Sequence, residues 1–192
     1  PFPEQQREIL LDIAWQSIRY RLQHNTALEV TPGMFEAPLC DPGASFVTLQ
    51  SLGQLRGCIG SLEAFRPLIS DVAGNALAAA FRDPRFAPLT PAELGRLTLD
   101  ISVLSAPQAL TFVSEQDLLD QLRPNTDGLI LEENGKRGTF LPTVWHSLPE
   151  RAQFLQHLKL KAGLPAQHWS DAIRVWRYTT ECFGAPGPGR SG

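Results

Sequence analysis

The chain has 192 residues, a formal net charge of −3 and 43% apolar residues, which is typical of a globular protein with a substantial core. Its acidic balance argues against nucleic-acid binding, which needs clustered lysine and arginine. No apolar run could span a bilayer and no basic-then-apolar leader opens the chain, so we expect neither a membrane segment nor secretion. Three scattered cysteines, at no disulfide or metal-ligand spacing, predict reduced thiols, a cytoplasmic location, and no metal or cofactor.

The first half of the chain mixes helix and strand patterns. Apolar periodicity, turn residues and a capping box define its elements. In order, they are a helix over 9–22, strands over 45–52 and 54–59, a helix from Pro67 to the Asp83-Pro84 stop, a short capped helix from Thr90, and a strand over 97–103.

The second half shows the same mixture and ends in a tail rich in glycine and proline. Its predicted elements are a short helix capped by Ser114, a hairpin around Asn134-Gly135, a helix opened by a capping box at Ser147 to Glu150 and closed by Gly163, and a long strand over 173–183. Because helices and strands do not alternate regularly and the hairpins are antiparallel, we expect an α+β fold. We interpret 1–183 as one domain and 184–192 as a flexible tail.

The segment Leu55-Arg56-Gly57-Cys58-Ile59-Gly60 is the strongest candidate for a functional site. Its glycines allow other groups to approach the backbone closely, and two glycines would pack poorly in an ordinary core strand. A thiolate beside Arg56 could act as a nucleophile, a redox group or a metal ligand. The structural alternative is that Cys58 packs as a small buried hydrophobe.

Other candidates are weaker, and each has a structural alternative. A nucleophilic cysteine needs a base, for which His146 is the histidine we retain, although it could simply lie on the surface. Arg82 and Arg85 could bind an anionic group, or could belong to a helix-stop loop with a local ion pair. Glu181 could be a site acid or a solvent-facing residue. Lys159 is explained by its place near a helix C-terminus, where a cation is favoured.

Eight short motifs in a fixed order resemble the AMMECR family, and most closely its prokaryotic branch, AmmeMemoRadiSam system protein A. The matching motifs are Leu55-Arg-Gly-Cys-Ile-Gly60, Ala80-Phe-Arg-Asp-Pro-Arg-Phe86, Leu89-Thr-Pro-Ala-Glu-Leu94, Ile101-Ser-Val-Leu-Ser-Ala-Pro107, Asp127-Gly-Leu129, Gly138-Thr-Phe-Leu-Pro142, Lys161-Ala-Gly-Leu-Pro165, and Arg177-Tyr178 with Glu181 and Phe183. They span most of residues 5–183, and the ordered set is far more specific than the hexapeptide alone.

The resemblance implies two packed lobes, built on antiparallel sheets with flanking helices, and a cleft between them that the hexapeptide lines. The family has no settled reaction. Its members are often encoded with a Memo-type protein, related to non-haem iron dioxygenases, and with a radical-SAM protein, so these are the partners we expect. Many members carry histidine where this chain has Asp127, so any role of that histidine would be absent or altered here.

Two hypotheses follow from the resemblance and the hexapeptide together. In the first, the chain is an enzyme or a redox or modification component in which Cys58 reacts with a small substrate and Arg56 orients an anionic group. In the second, it is a non-catalytic scaffold that binds a protein or peptide, with Gly57 and Gly60 permitting close backbone approach. Arg82, Arg85 and Glu181 are the further residues that we expect at the binding site.

Overall fold

The structure, a computed structural model, describes residues 1–186 and shows an α+β protein with two antiparallel sheets. The chain forms two compact units. One contains Pro1–Leu104 with the residues from Glu181 onward, and the other contains Ser105–Thr180. Among the described residues, no helix has the length and apolar character that crossing a membrane requires.

The first unit contains two long helices and a four-stranded sheet. Its helices are α1 (Glu4–His24) and α2 (Leu68–Phe81), its strands are β1 (Ala44–Ser51), β2 (Gln54–Gly60), β3 (Leu97–Leu104) and β8 (Thr180–Pro186), and its 3₁₀ helices are Pro32–Met34 and Pro91–Arg96. The second 3₁₀ helix begins with the predicted capping box, in which the Thr90 N–H donates to Glu93 Oε2 at 2.7 Å.

The strands of this sheet lie in the order β2-β1-β3-β8, so β2 is an edge strand. Side chains alternate between its two faces. Val47, Leu49, Leu99 and Ile101 point toward α1 and α2 and form one hydrophobic core with them. The opposite face carries Cys58 and its neighbours, which are not part of that core.

The second unit contains a four-stranded sheet in the order β4-β7-β5-β6. Its strands are β4 (Gln108–Ala109), β5 (Gly128–Glu133), β6 (Lys136–Phe140) and β7 (Arg174–Tyr178), its helices are α3 (Glu115–Gln121) and α4 (Arg151–Ala162), and a 3₁₀ helix covers Pro142–His146. Trp145 and Phe154 are fully buried in its core, with stacked rings 3.7 Å apart. Gly163 ends α4 in the left-handed conformation, as predicted.

Three predicted features differ from the structure. The strand predicted over 173–183 is two strands, β7 and β8, in different sheets. The capping box predicted at Ser147 does not form, because the Ser147 N–H is bonded to the Val144 carbonyl at the end of a 3₁₀ helix, and α4 begins only at Arg151. The strand β8 also runs to Pro186, so residues 184–186 of the predicted tail belong to a strand, and residues 187–192 lie outside the described residues.

The helix dipole is an insufficient explanation for Lys159. Its side chain is fully buried, and its Nζ donates to Glu115 Oε1 at 3.0 Å while lying 5.6 Å from the centre of the Trp169 ring. A buried ammonium group needs such a partner, because an unpaired charge in a protein core is strongly unfavourable. This ion pair therefore connects α3 to α4.

Gly57 allows the edge strand β2 to lie directly against α2. A Cβ atom at this position would be 2.0 Å from the backbone carbonyl oxygen of Ala79. Backbone atoms cannot move aside by a rotamer change, so the strand and the helix would have to separate. The first glycine of the hexapeptide is thus required by packing.

We expect Gly57→Ala to lower the free energy of unfolding by about 1–3 kcal/mol, because the added methyl overpacks a strand–helix contact. Gly95→Ala is the matched control, since a Cβ atom at Gly95 would meet no atom beyond its own neighbours in the chain within 4 Å; we expect it to change stability by less than about 0.5 kcal/mol. Urea unfolding of both variants measures the difference. Equal stability of the two variants would contradict this account of Gly57.

Candidate functional site

The backbone of Cys58 is held at the sheet edge by an ion pair between a buried carboxylate, Asp83, and an exposed guanidinium, Arg85. Its N–H donates to Asp83 Oδ2 at 3.0 Å, and its carbonyl accepts from Arg85 Nη2 at 3.4 Å. Arg85 in turn donates to both carboxylate oxygens of Asp83, at 3.0 and 2.7 Å. The edge of β2 at this point is therefore occupied by the loop that follows α2, and is closed to pairing with another strand.

Asp83 is the centre of this arrangement, with a side chain only 2% exposed. The hydrogen bonds from the Arg85 guanidinium and from the Cys58 N–H hold the pKa of the Asp83 carboxyl well below its usual range, against the opposing effect of burial. The carboxylate is therefore charged at neutral pH and fixes the position of Cys58.

The Cys58 side chain points to the sheet face that lies away from α1 and α2. It is half-buried, and Thr48 Oγ1, directly opposite on β1, donates to its Sγ at 3.2 Å. Asp100 on β3 is the next residue in the same cross-strand row. Partial burial raises the pKa of the Asp100 carboxyl. The row thus places a thiol, a hydroxyl and a carboxyl side by side on one surface.

Gly60 serves a different packing contact from Gly57. A Cβ atom at Gly60 would lie 2.2 Å from the ring of Phe46, which is opposite Gly60 on β1. The absence of a side chain at Gly60 lets that ring lie flat across β2, beside the row that contains Cys58 and Thr48. The second glycine therefore shapes the surface next to the thiol.

Arg56 is engaged in its own ion pair and donates no hydrogen bond to the thiol. Its Nε donates to Glu93 Oε1 at 2.9 Å and its Nη2 to the Ala87 carbonyl at 2.7 Å. The guanidinium also lies 5.8 Å from the centre of the Phe86 ring. These contacts hold the segment from Phe86 to Glu93 against β2, which is a positioning role.

Two further predicted site residues lie in different surroundings. Arg82 ends α2, and its exposed side chain makes no hydrogen bond or ion pair within residues 1–186. The Glu181 carboxylate accepts from the Phe2 N–H and from Arg7, on the sheet face opposite to Cys58. The structure therefore brings Arg56, Gly57, Cys58, Gly60 and Arg85 into one region, and places Glu181 apart from the thiol.

The structure gives Cys58 neither a histidine partner nor a metal site within the described part of the chain. His146 lies in the second unit, exposed at the end of a 3₁₀ helix, and no histidine among residues 1–186 donates to or accepts from the Cys58 thiol. No group of three His, Cys, Asp or Glu side chains in the described residues is arranged to hold a metal ion. The three cysteines form no disulfide.

Asp127 is fully buried in the second unit. It occupies the position at which the resemblance implies a histidine in many family members. It forms ion pairs with Arg123 at 2.8 Å and Arg177 at 3.1 Å, and its backbone carbonyl accepts from the Trp145 indole N–H. These contacts assign it a structural role, in which its carboxylate joins the start of β5 to β7 and its backbone carbonyl joins the same point to the 3₁₀ helix.

Sequence reasoning missed Thr48 as a partner of the thiol, and it missed the long-range contacts of Asp83 and Glu93. Local patterns indicate only that Asp83 belongs to a helix-stop loop and Glu93 to a capping box. Their second partners, the Cys58 N–H and Arg56, are 25 and 37 residues away in the chain. No local pattern encodes such pairings.

Comparisons with known proteins identify the family. The AMMECR1 family model matches residues 11–183. A Methanothermobacter thermautotrophicus protein is 40% identical over 144 residues, which cover 72% of this chain and 73% of that protein. A Thermofilum pendens protein is 32% identical over 191 residues and covers 91% of this chain and 87% of its own length. The chain belongs to the AMMECR1 family.

A solved structure shows the same fold. The crystal structure titled "uncharacterized protein PH0010", from Pyrococcus horikoshii, superposes with a TM-score of 0.85. The two proteins are 28% identical, and the match covers 97% of this chain and 95% of the other. The α+β fold and the family resemblance predicted from the sequence are thus confirmed.

The Arg56–Glu93 pair predicts a pH dependence of stability. The hydrogen bond from Arg56 lowers the pKa of Glu93 from 4.5 to about 2. As pH falls from about 4.5 to about 2, the Glu93 carboxyl is protonated in the unfolded chain before it is protonated in the folded chain. The free energy of unfolding therefore falls. Because Glu93 is partly exposed and water screens the pair, we expect the loss to be on the order of 1 kcal/mol.

We expect Glu93→Gln to be less stable than the wild type near neutral pH and to lose less stability on acidification, since it has no carboxyl to protonate. Urea unfolding at about pH 6 and about pH 3 measures both effects. Glu29→Gln, which alters an exposed glutamate, is the matched control and should follow the wild type. A Glu93→Gln variant with the wild-type pH slope would rule out this contribution.

Proposed function

We propose that this protein is a cytoplasmic component of a small redox or modification system, in which Cys58 is the reactive thiol. In the step that we propose, the thiol gives its proton to solvent, its sulfur bonds to an electrophilic carbon of a small substrate, and the leaving group departs with the bonding electrons. The resemblance described above supports a Memo-type protein and a radical-SAM protein as its partners. The cleft between two lobes, which the resemblance implies and which the hexapeptide would line, stays a prediction.

The observation that carries this proposal is the combination of contacts around Cys58. Its backbone is fixed on both sides by Asp83 and Arg85, while its Sγ accepts a hydrogen bond from Thr48 on the face away from the helices. A hydroxyl that donates to sulfur stabilises the thiolate more than the thiol. Rigid support of a reacting group is what a functional site requires.

The arginines have separate roles in this proposal. Arg56, which the sequence suggested would orient an anionic group, is already paired with Glu93, so we assign it the positioning of the neighbouring loop. Arg85 is paired with Asp83. The guanidinium of Arg82, at the start of this loop, has no protein partner in the described residues. We propose that it binds the anionic group of the substrate.

We expect iodoacetamide to alkylate Cys58 in the folded protein, in a Cys40→Ser, Cys182→Ser background that leaves one thiol. Adding Thr48→Val should slow alkylation about fivefold at a fixed pH near 7.5, because the variant loses one hydrogen bond to the thiolate. Mass spectrometry of timed samples measures the rate.

Thr98→Val is the control for this experiment, since Thr98 lies on β3 of the same sheet and makes no contact with the thiol. It should leave the rate unchanged. If Cys58 reacts only after unfolding, the thiol is structural and the reactive-thiol proposal fails. If both threonine variants react at the wild-type rate, Thr48 has no role in activating it.

A second candidate function, a non-catalytic binding module for the same partners, is favoured by exposed apolar side chains along β2. Leu52 in the turn before it is 65% exposed, Phe65 beyond its end is 69% exposed, and Leu55 within it is 43% exposed. Large apolar residues concentrated around one strand are typical of a protein interface. Because Asp83 and Arg85 occupy the strand edge, such a partner would contact side chains instead of adding a strand.

For this binding function, we expect a Memo-type or radical-SAM partner to bind the wild type and Cys58→Ser equally. We expect Leu52→Glu combined with Phe65→Glu to weaken binding at least about tenfold, because charges replace buried apolar contacts. Calorimetry with purified partners measures this. Met34→Glu, another exposed apolar residue of the same unit, is the control. Failure of both partners to bind the wild type would exclude the binding module.

A further inference from the structure

The second unit contains a cavity of about 540 Å³ where β4 and β7 separate. The two strands pair at Ala109 and Trp176, and the last backbone hydrogen bond between them runs from the Leu110 N–H to the Val175 carbonyl at 2.9 Å. Beyond that point, the chain turns away from β7 toward α3. Phe112, Trp169 and Trp176 are among the residues that line the resulting space, and its volume is in the range of small-molecule sites.

Both walls of this cavity are held in place by contacts of their own. On one wall, the Thr111 carbonyl accepts from Gln121 Nε2 and the Val113 N–H donates to Asp117 Oδ2, each at 2.9 Å. This wall is therefore preformed, as in most small-molecule sites.

The opposite wall is held by a buried glutamate and a buried lysine. Glu133 accepts from the Ser170 hydroxyl and contacts His168 Nε2 at 2.7 Å. Lys159 Nζ and the centre of the Phe112 ring each lie 5.6 Å from the centre of the Trp169 ring, so both groups hold the indole in place. Since a cation already occupies the Trp169 ring, a second cation is not expected to bind there.

Two opposite charges at the cavity remain unpaired. Asp171 and Arg174 both line it, and both also line an adjoining cavity of about 300 Å³ that contains Glu133 and Asn134. Both residues are exposed, and neither forms an ion pair with the other or with any other side chain within residues 1–186. A carboxylate and a guanidinium that do not neutralise each other can each bind the opposite charge of a ligand.

We propose that this cavity binds a zwitterionic aromatic compound of amino-acid size. Its ring packs against Phe112, Trp169 and Trp176, its carboxylate is held by Arg174, and its ammonium group is held by Asp171. This site lies entirely in the second unit and does not depend on the function proposed for Cys58. It would allow the protein to sense or carry such a compound.

Three probes that share one ring system test the proposal. L-tryptophan carries both charges, indole-3-propionate carries only the carboxylate, and tryptamine carries only the ammonium group. We expect calorimetry to show that L-tryptophan binds the full chain, and that each singly charged probe binds about tenfold more weakly, since each loses one charge-assisted hydrogen-bonded contact.

Substitutions of Arg174 and Asp171 test which side chain binds each charged group of the probes. Arg174→Gln should weaken L-tryptophan and indole-3-propionate about tenfold and leave tryptamine unchanged, and Asp171→Asn should weaken L-tryptophan and tryptamine instead. Asp120→Asn, an exposed acidic residue of the same unit outside the cavity, should change nothing. Equal affinities for the three probes, no binding of L-tryptophan at about 10 mM, or an unchanged affinity in Arg174→Gln would each overturn the proposal.

Discussion

The candidate site depends on the hydrogen bonds that the buried Asp83 carboxylate accepts. It accepts the outward-facing N–H of Cys58 on an edge strand and is neutralised by Arg85 from its own loop. An unpaired carboxylate buried this deeply would be strongly unfavourable, so the three groups stabilise one another and favour a single arrangement. The edge of β2, the end of α2 and the loop that follows α2 are thereby joined at Cys58, whose thiol faces away from the helices.

Local signals predicted most elements of the fold, because the physical causes of those elements are local. The Asn134-Gly135 turn has positive φ values at both residues, and the Ser114 hydroxyl accepts from the Asp117 N–H, as the sequence patterns suggest. The failures have a different cause. Strand propensity over 173–183 is real, but it cannot reveal that the chain leaves one sheet at Tyr178 and enters another at Thr180, since pairing partners determine sheet membership.

The charges of the molecule were the hardest features to predict. Lys159 has an adequate local explanation in the helix dipole, yet its side chain is buried against Glu115, 44 residues earlier. Asp127 could have been a catalytic replacement, yet it pairs with Arg123 and Arg177 inside the second unit. In each case the residue type indicates that a partner is needed, and only the fold shows which partner it has.

The hexapeptide illustrates how structural and functional demands divide within one motif. Gly57 gives α2 room to approach the strand, Gly60 accommodates the Phe46 ring, and Arg56 binds the loop that contains Glu93. Each of these residues therefore has a structural explanation that requires no ligand. Cys58 differs, because its backbone is the part held by the fold while its sulfur accepts a single hydroxyl hydrogen bond on the face away from the helices. The argument for chemistry in this unit consequently rests on that thiol, with its neighbours serving to place it.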